Sequence, residues 1–226
     1  MAEKRPKAIV YKTPVGIAQY PRLTKPDTKF NPEGEYKISL LLDAAVAQPI
    51  VDMIEKEIAT KLERVKDENP KLVKLKAIKV CEDRPFKTVL DDEGDETSSV
   101  KINFKMKAVI TSKTSGEKWV QRPNLFDSQG TVLVNPNIGG GSEVRVAYEV
   151  VPFWTQKIGV GVTLRLKAVQ VIKLVEYTGG QDAKGYGFAA EDGYVAPTDQ
   201  PTAEQAEEAA SPSSEADRPA DDKDDF

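Results

Sequence analysis

The alternation of apolar and polar side chains in VKINFKMKA, residues 100–108, is the feature that most constrains the fold. A period of two places the apolar side chains on one face of a β-strand and the lysines on the other. The segments SEVRVAYEV (142–150) and GVTLRLKA (161–168) repeat the pattern, and GEYKISLLL (34–42) follows the turn signal NPEG. These four segments predict half-buried antiparallel strands.

One segment has helical periodicity instead. Between residues 43 and 66, apolar side chains recur every three or four positions, with Asp43 as N-cap and Asn69–Pro70 as the end. The following segment LVKLKAIKV (72–80) is predicted to be a strand. The predicted order of elements is several strands, one helix and further strands, without βαβ alternation. The sequence therefore predicts a mainly β fold: a small antiparallel barrel with one packed α-helix.

The C-terminal segment differs from the rest of the chain in charge. From Glu191 to Phe226 there are 12 acidic and 2 basic residues, a net charge of −10, whereas the preceding 190 residues carry a net charge of +6. Residues 197–226 contain almost nothing to bury, so we expect a disordered acidic tail. The predicted organisation is a folded domain at 1–178 and a Gly-rich linker with the tail at 179–226.

The residue inventory excludes several function classes. The chain has no histidine, which removes Ser–His–Asp and Cys–His catalysis and two-histidine zinc sites, and one cysteine forms neither a zinc knuckle nor a disulfide. No signal peptide or membrane-spanning segment is recognisable, which fits a cytoplasmic protein. The acidic segment DDEGDE (91–96) lacks the spacing of a calcium loop. We therefore expect neither a metal nor another cofactor, and no enzymatic activity.

Binding of a single nucleic-acid strand remains, because it needs cations that follow phosphates and aromatic faces for bases. In VVPFWTQK, Pro152 is expected to end the strand pairing and to place Phe153 and Trp154 beside Lys157. One of these two aromatic side chains must point inward. The candidate contacts are Phe153, Trp154, Lys157, Lys101, Lys105, Lys107, Arg145, Arg165, Lys167, Tyr20, Arg22 and Lys25.

Other interpretations of these residues remain open. Lysines on an outward face are often only solvated, a Phe–Trp pair is often core, and Trp119 is equally suited to core or contact. A structural or adaptor protein without DNA binding is the main alternative. A nuclease that holds metals with carboxylates alone is a further one.

The segment NPNIGGGSEVRVAYEVVPFWTQKIGVGVTLRLKAVQVIKLVEY (135–177) resembles the single-stranded DNA-binding proteins of short-tailed bacteriophages. TKPD (24–27) followed by NPEGEYKISLLL, the GYVAP stretch and an acidic tail ending in phenylalanine fit the same family. The resemblance implies an oligonucleotide-binding (OB) barrel and a homodimer. It also implies roles in phage DNA replication, recombination and repair in the cytoplasm of the infected bacterial host.

For the tail, the resemblance implies two roles. It competes with DNA for the basic DNA-binding surface, and it contacts replication enzymes such as the phage DNA polymerase and helicase–primase. Two features depart from the family pattern: Phe153 and Trp154 are adjacent rather than spaced, and Glu33 replaces an expected basic residue in the NPEG turn. The tail residues implied in partner binding are Asp221, Asp222, Asp224, Asp225 and Phe226.

Overall fold

In the computed structural model, which describes residues 9–29, 31–91, 93–112 and 116–177, the alternating segments close into a β-barrel with one long helix. The mainly β prediction is confirmed. In chain order the elements are β1 (Val10–Lys12), β2 (Gly16–Asp27), β3 (Glu35–Asp43), α1 (Ala44–Glu68), α2 (Pro70–Lys74), β4 (Phe86–Leu90), β5 (Glu96–Lys107), β6 (Val109–Thr111), β7 (Lys118–Val120), β8 (Asn124–Phe126), β9 (Glu143–Thr155) and β10 (Gly159–Lys173).

Five strands form the closed barrel, in the order β9-β2-β3-β5-β10 and back to β9. Strands β2, β3 and β5 form an antiparallel meander, and β9 and β10 form a long antiparallel hairpin. The meander joins the hairpin through β2–β9 at one edge and through a parallel β5–β10 pair at the other. This is an OB-like barrel. The parallel pair is the one barrel pairing that departs from the predicted antiparallel arrangement.

The predicted alternation places the core as expected. Ile38, Leu40, Phe104 and Leu164 are each at most 1% exposed, while their sequence neighbours face outward. The Phe104 and Tyr148 rings pack with centroids 5.1 Å apart. Burial raises the pKa of Tyr148 to about 12, so its hydroxyl stays uncharged inside the barrel.

Helix α1 leaves directly from the end of β3. The Asp43 side chain accepts a hydrogen bond from the Ala45 N–H at 2.9 Å and caps the helix as predicted. The buried stripe packs on the barrel core through residues four or so apart, which agrees with the helical period. Its buried members are Ala47, Ile50, Ile54, Ile58 and Val65.

The strand predicted at 72–80 is wrong. Pro70 has the fixed φ that suits a first helical turn, and it begins the short helix α2, followed by a turn in which Lys76 has φ 51°. Val73 and Leu75 are exposed, so their spacing does not mark a buried face. From this segment Val80 forms an isolated bridge to Val160.

The prediction that Pro152 ends the strand pairing is also wrong, since β9 continues to Thr155 with Pro152 opposite Val162. Strands β1 and β2 pair with the first half of β9, and no described strand covers that edge beyond Glu149. Proline lacks an N–H donor, and it is tolerated in a strand where the edge is open.

All described elements lie in one unit of the chain, Met1–Asp182, and a second unit spans Ala183–Phe226. The predicted linker and tail at 179–226, including the five tail residues named above, fall outside the described residues and stay predictions. None of the described helices is long and apolar enough to cross a membrane.

Barrel closure depends on a close approach at Gly16, where β2 contacts both β3 and β9. A Cβ atom at Gly16 would lie 2.6 Å from Leu42 Cδ2 and 2.7 Å from the Leu41 carbonyl oxygen. Substitution Gly16→Ala should lower the free energy of unfolding by about 1–3 kcal/mol, because the backbone oxygen cannot move aside freely.

Urea unfolding measures this difference. Gly140→Ala is the matched control, since the nearest atom to its added Cβ would be the Ala18 carbonyl oxygen at 3.9 Å. An equal loss of stability in both variants would contradict the role of Gly16 in closure.

Candidate nucleic-acid interface

A groove of about 430 Å³ lies on the outer barrel surface where β3, β5 and β10 meet. Its floor includes Ser39, Asn103 and Thr163, one from each strand. Ser39 and Asn103 are register partners, and the Ser39 hydroxyl donates a hydrogen bond to Asn103 Oδ1 at 2.7 Å. These three side chains are polar and uncharged, and the charged residues Glu35, Lys37 and Lys105 line the groove beside them.

Phe153 lines this groove together with Ile158. It lies opposite Gly161, where an added Cβ would be 2.6 Å from Phe153 Cζ, so only glycine leaves room for the ring there. Trp154 packs partly buried against the core. The prediction that one of the two aromatic side chains points inward is confirmed, and Phe153 is the one that faces the groove.

Four cations lie in register across four strands and run past the groove. Arg22 on β2 is the partner of Lys37 on β3, Lys37 is the partner of Lys105 on β5, and Lys105 is the partner of Arg165 on β10. Neighbouring strands are about 4.8 Å apart, so this cation row extends about 14 Å across the barrel. The groove residues Lys37 and Lys105 stand at its centre.

Lys37 is absent from the sequence-based candidates. The sequence could have identified Lys37, because this residue occupies an outward position of the alternating segment at 34–42. Its pairing with Lys105 could not be read from either segment alone.

Carboxylates already occupy part of the row. Lys37 Nζ lies 2.5 Å from Asp27 Oδ2, and Arg165 and Lys167 each lie 3.2 Å from Glu149. The sequence places Glu149 on the outward face, which is correct, but the two cations cover it and leave its side chain 9% exposed. Lys105 has no ion pair within 4.0 Å in the described part of the chain.

The other candidates on these strands lie at different places. Lys101 and Lys107 share the outward face of β5 with Lys105. Lys157 is exposed in the turn between β9 and β10. Arg145 lies opposite Gln170, eight residues and about 26 Å along β9 from Phe153, so it is not brought into the groove.

Tyr20, Arg22 and Lys25 line a separate concavity of about 810 Å³, which we call the cleft. Residues 17–25 of β2, the turn at 136–141 and Tyr177 form it. Because Arg22 also belongs to the cation row, the candidates Tyr20, Arg22 and Lys25 lie at the end of that row.

One wall of the groove is a loop attached to α1. Arg84 Nε lies 2.8 Å from Glu55 Oε1 of the helix, and its Nη1 donates to the Cys81 carbonyl. Cys81, Asp83, Arg84 and Pro85 all line the groove. The Arg84 guanidinium therefore holds this wall in position and is engaged by protein acceptors.

The small β6–β7 sheet resolves the position of Trp119. Its side chain is 48% exposed on β7 rather than part of the core. Next to it, Lys118 Nζ lies 3.0 Å from Glu33 Oε1, so the acid in the NPEG turn is bound to a cation of this sheet.

The acidic segment at 91–96 has the features of a turn. The Asp91 carboxylate accepts hydrogen bonds from the N–H groups of Glu93 and Asp95 at 3.0 and 2.9 Å. Within residues 9–29, 31–91, 93–112 and 116–177, no three acidic, histidine or cysteine residues cluster to hold a metal ion.

Comparisons with known proteins point in one direction. A family model described as single-stranded DNA-binding protein of bacteriophage T7 matches residues 15–174. The single-stranded DNA-binding protein of Enterobacteria phage T3 is 31% identical over 209 residues, covering 84% of this chain and 87% of that protein. Its counterpart from Escherichia phage T7 is 30% identical over 206 residues, covering 83% and 85%.

The fold comparison agrees. The crystal structure of gp2.5, a single-stranded DNA-binding protein encoded by bacteriophage T7, matches with a TM-score of 0.64 and 27% identity, over 84% of this chain and all of that one. These relatives are named as DNA-binding proteins and not as enzymes, as the sequence analysis predicts.

The Asp27–Lys37 pair yields a pH prediction. The hydrogen bond from Lys37 holds the pKa of the Asp27 carboxyl below its usual value, with help from the Lys29 N–H. Ionised Asp27 thus stabilises the fold above its unfolded-state pKa, and this stabilisation is lost as the pH falls through the lower folded-state pKa. Substitution Lys37→Gln should raise the Asp27 pKa towards the usual value.

An NMR titration of side-chain carboxyl carbons measures that pKa. Asp127 is the internal control, because the N–H of Thr131 is the main group that lowers its pKa, and this bond is independent of Lys37. An unchanged Asp27 pKa in Lys37→Gln would contradict the assigned cause.

Proposed function

This chain belongs to the family of bacteriophage single-stranded DNA-binding proteins that includes the phage T7 protein, and on that premise we propose that it binds single-stranded DNA through the groove. The observation that carries the proposal is the in-register row of Arg22, Lys37, Lys105 and Arg165 beside the outward ring of Phe153. Lys101 and Lys107 extend the same basic face along β5.

The two kinds of contact fit a single strand better than a duplex. A base can stack on Phe153 only if its face is free, which a paired and stacked duplex base does not provide. The cations contact phosphates, which are the same in every nucleotide. Binding of this type tolerates any sequence, since neither contact reads the edge of a base.

The acids beside the row make binding an exchange of partners. A phosphate that reaches Lys37 or Arg165 replaces Asp27 or Glu149 as the partner of that cation. Lys105, which has no such partner among the described residues, is therefore expected to contribute most per cation. Each phosphate contact contributes about 0.7 to the slope of log K against log salt concentration.

The first test is a tryptophan-fluorescence titration of the full chain with oligo-dT across a salt series. Phe153→Ala should weaken binding by about 5- to 150-fold, from about 1–3 kcal/mol per stacked base, with the salt slope unchanged. Lys105→Gln should instead make the slope shallower by about 0.7, because one phosphate contact is lost.

Arg64→Gln is the matched control for charge, since Arg64 is an exposed cation of α1 and lines neither the groove nor the cleft. Absence of binding by the unmodified chain would overturn the DNA proposal and favour an adaptor protein. If Phe153→Ala, Lys105→Gln and Arg64→Gln changed the DNA affinity and its salt dependence equally, the groove would be overturned as the DNA-binding site.

The acidic tail and the cellular role extend the proposal. The net charge of −10 after residue 190 opposes that of the basic row, so the tail is proposed to occupy the groove until DNA displaces it. The displaced tail would recruit the phage DNA polymerase and helicase–primase, with aspartates giving long-range attraction and Phe226 filling an apolar pocket. A homodimer acting in replication, recombination and repair in the host cytoplasm completes the proposal.

Removing the tail should separate these two roles. A chain ending at Pro197 should bind oligo-dT more tightly than the full chain, and most strongly so at low salt, where charge competition is least screened. Phe226→Ala should leave DNA affinity nearly unchanged and abolish co-precipitation of the polymerase. A change in DNA affinity as large in Phe226→Ala as in the truncated chain would contradict this division.

A further inference from the structure

The cleft has a chemical character different from that of the groove. Its volume is about 810 Å³, and it is lined by two tyrosines, Tyr20 and Tyr177, and two cations, Arg22 and Lys25. No acidic side chain is among its described lining residues, whereas Glu35 and Asp83 line the groove. Aromatic faces and cations without an acidic residue in the described lining suit a polyanion that also carries flat rings.

The backbone holds Tyr20 in a conformation that local preferences do not explain. Its φ is 49°, in the left-handed region that tyrosine rarely adopts. A register shift lies between Gln19 and Arg22 in the β2–β3 pairing. An unbroken alternation would point Tyr20 inward like Ala18, but the bulge turns it out and leaves it 78% exposed. Strain of this kind persists where the fold imposes it, and it is concentrated at functional sites.

The opposite part of the cleft is fixed by hydrogen bonds of the turn at 136–141 and of Ser142. The Ser142 hydroxyl, fully buried, lies 2.9 Å from the Gly139 carbonyl oxygen and accepts from the Val175 N–H at 3.0 Å. Asn137 Nδ2 donates to the Tyr177 carbonyl at 2.7 Å. These bonds hold the turn against the end of the chain segment that carries Tyr177, whose side chain is 58% exposed.

The cation row joins the cleft to the groove. Lys37 and Lys105 line the groove, and Arg22, the register partner of Lys37, lines the cleft. A DNA strand whose phosphates follow the cation row therefore passes from the groove to the cleft beside Tyr20. Adjacent strands are about 4.8 Å apart, so Arg22 and Lys37 are close enough to contact successive parts of one strand.

We propose that the cleft is a second base-binding site for the same DNA strand, in which nucleobases stack on Tyr20 and Tyr177 while Arg22 and Lys25 contact phosphates. This inference rests on the proposed function of the groove. It assigns the path of the DNA across the protein, which crosses the β-strands from Arg165 towards β2. It also predicts that short DNA fills the groove alone and that longer DNA gains the cleft.

The test is the dependence of affinity on DNA length, measured by anisotropy of labelled oligo-dT from about 4 to about 16 nucleotides, the range of site sizes for OB folds. The variant is Tyr20→Gly in the full chain. Glycine removes the ring and adopts a positive φ without strain, so stability is retained. The shortest oligonucleotides should bind this variant as they bind the unmodified chain, and the longest should bind it at least fivefold more weakly.

Two controls make the result specific. Tyr20→Phe keeps the stacking face and should restore the affinity for long oligonucleotides. Phe153→Ala should weaken binding at every length, because the groove is used by short and long DNA alike. A long oligo-dT carrying 5-iodouracil should also cross-link to Tyr20 or Tyr177 on irradiation.

Three outcomes would overturn the inference. Equal affinity of Tyr20→Gly and the unmodified chain at all lengths would show that the cleft binds no base. An equal loss at all lengths would place Tyr20 in the groove site. Tighter binding of long DNA by Tyr20→Gly would mark the cleft as a docking place for an acidic protein segment. Failure of the unmodified chain to bind any oligonucleotide would refute the proposed function itself.

Discussion

The parallel pairing of β5 with β10 is the contact on which the rest of the architecture depends. It joins the meander to the hairpin in one register, with Lys105 opposite Arg165. That register aligns the cations of four strands and brings the Phe153 end of the hairpin to the edge of the groove. Because side chains alternate along a strand, a slip of one residue would turn these groups into the core and the core residues outward.

The charges around this register are balanced rather than simply basic. Asp27 and Glu149 compensate three cations of the outer face. Like charges aligned on neighbouring strands repel, so these acids lower the cost of holding the row together. In the proposed DNA complex a phosphate would replace the carboxylate in each of these pairs, which would limit the affinity for DNA. Folding and binding therefore make opposite demands on the same side chains.

The sequence predicted what depends on local pattern. Alternation located four of the five barrel strands, β3, β5, β9 and β10, but not β2, in which a register shift interrupts the alternation. Asp43 and the helical period located α1, and adjacency in a strand required Phe153 and Trp154 to face opposite ways. Pairing between distant segments could not be predicted from the sequence. For that reason the sequence did not reveal the place of Lys37 in the cation row or the two cations that cover Glu149. The strand predicted at 72–80 and the end of strand pairing predicted at Pro152 are both wrong. Pro70 ends α1 as predicted but also begins a second helical turn, and Pro152 lies at an edge of β9 that no described strand covers.

The edge of β9 beyond Glu149, which no described strand covers, affects how neighbouring copies of the protein could contact one another. Copies of a protein bound side by side along one DNA strand are held at a high local concentration. A strand edge without a described partner, as in the second half of β9, offers backbone groups to which a neighbouring copy could add a strand. Pro152 interrupts the row of donors at that edge, so a continuous ladder between copies cannot form there. A residue that looks like a strand breaker in sequence is thus part of the continuous β9–β10 pairing and removes one backbone donor from β9.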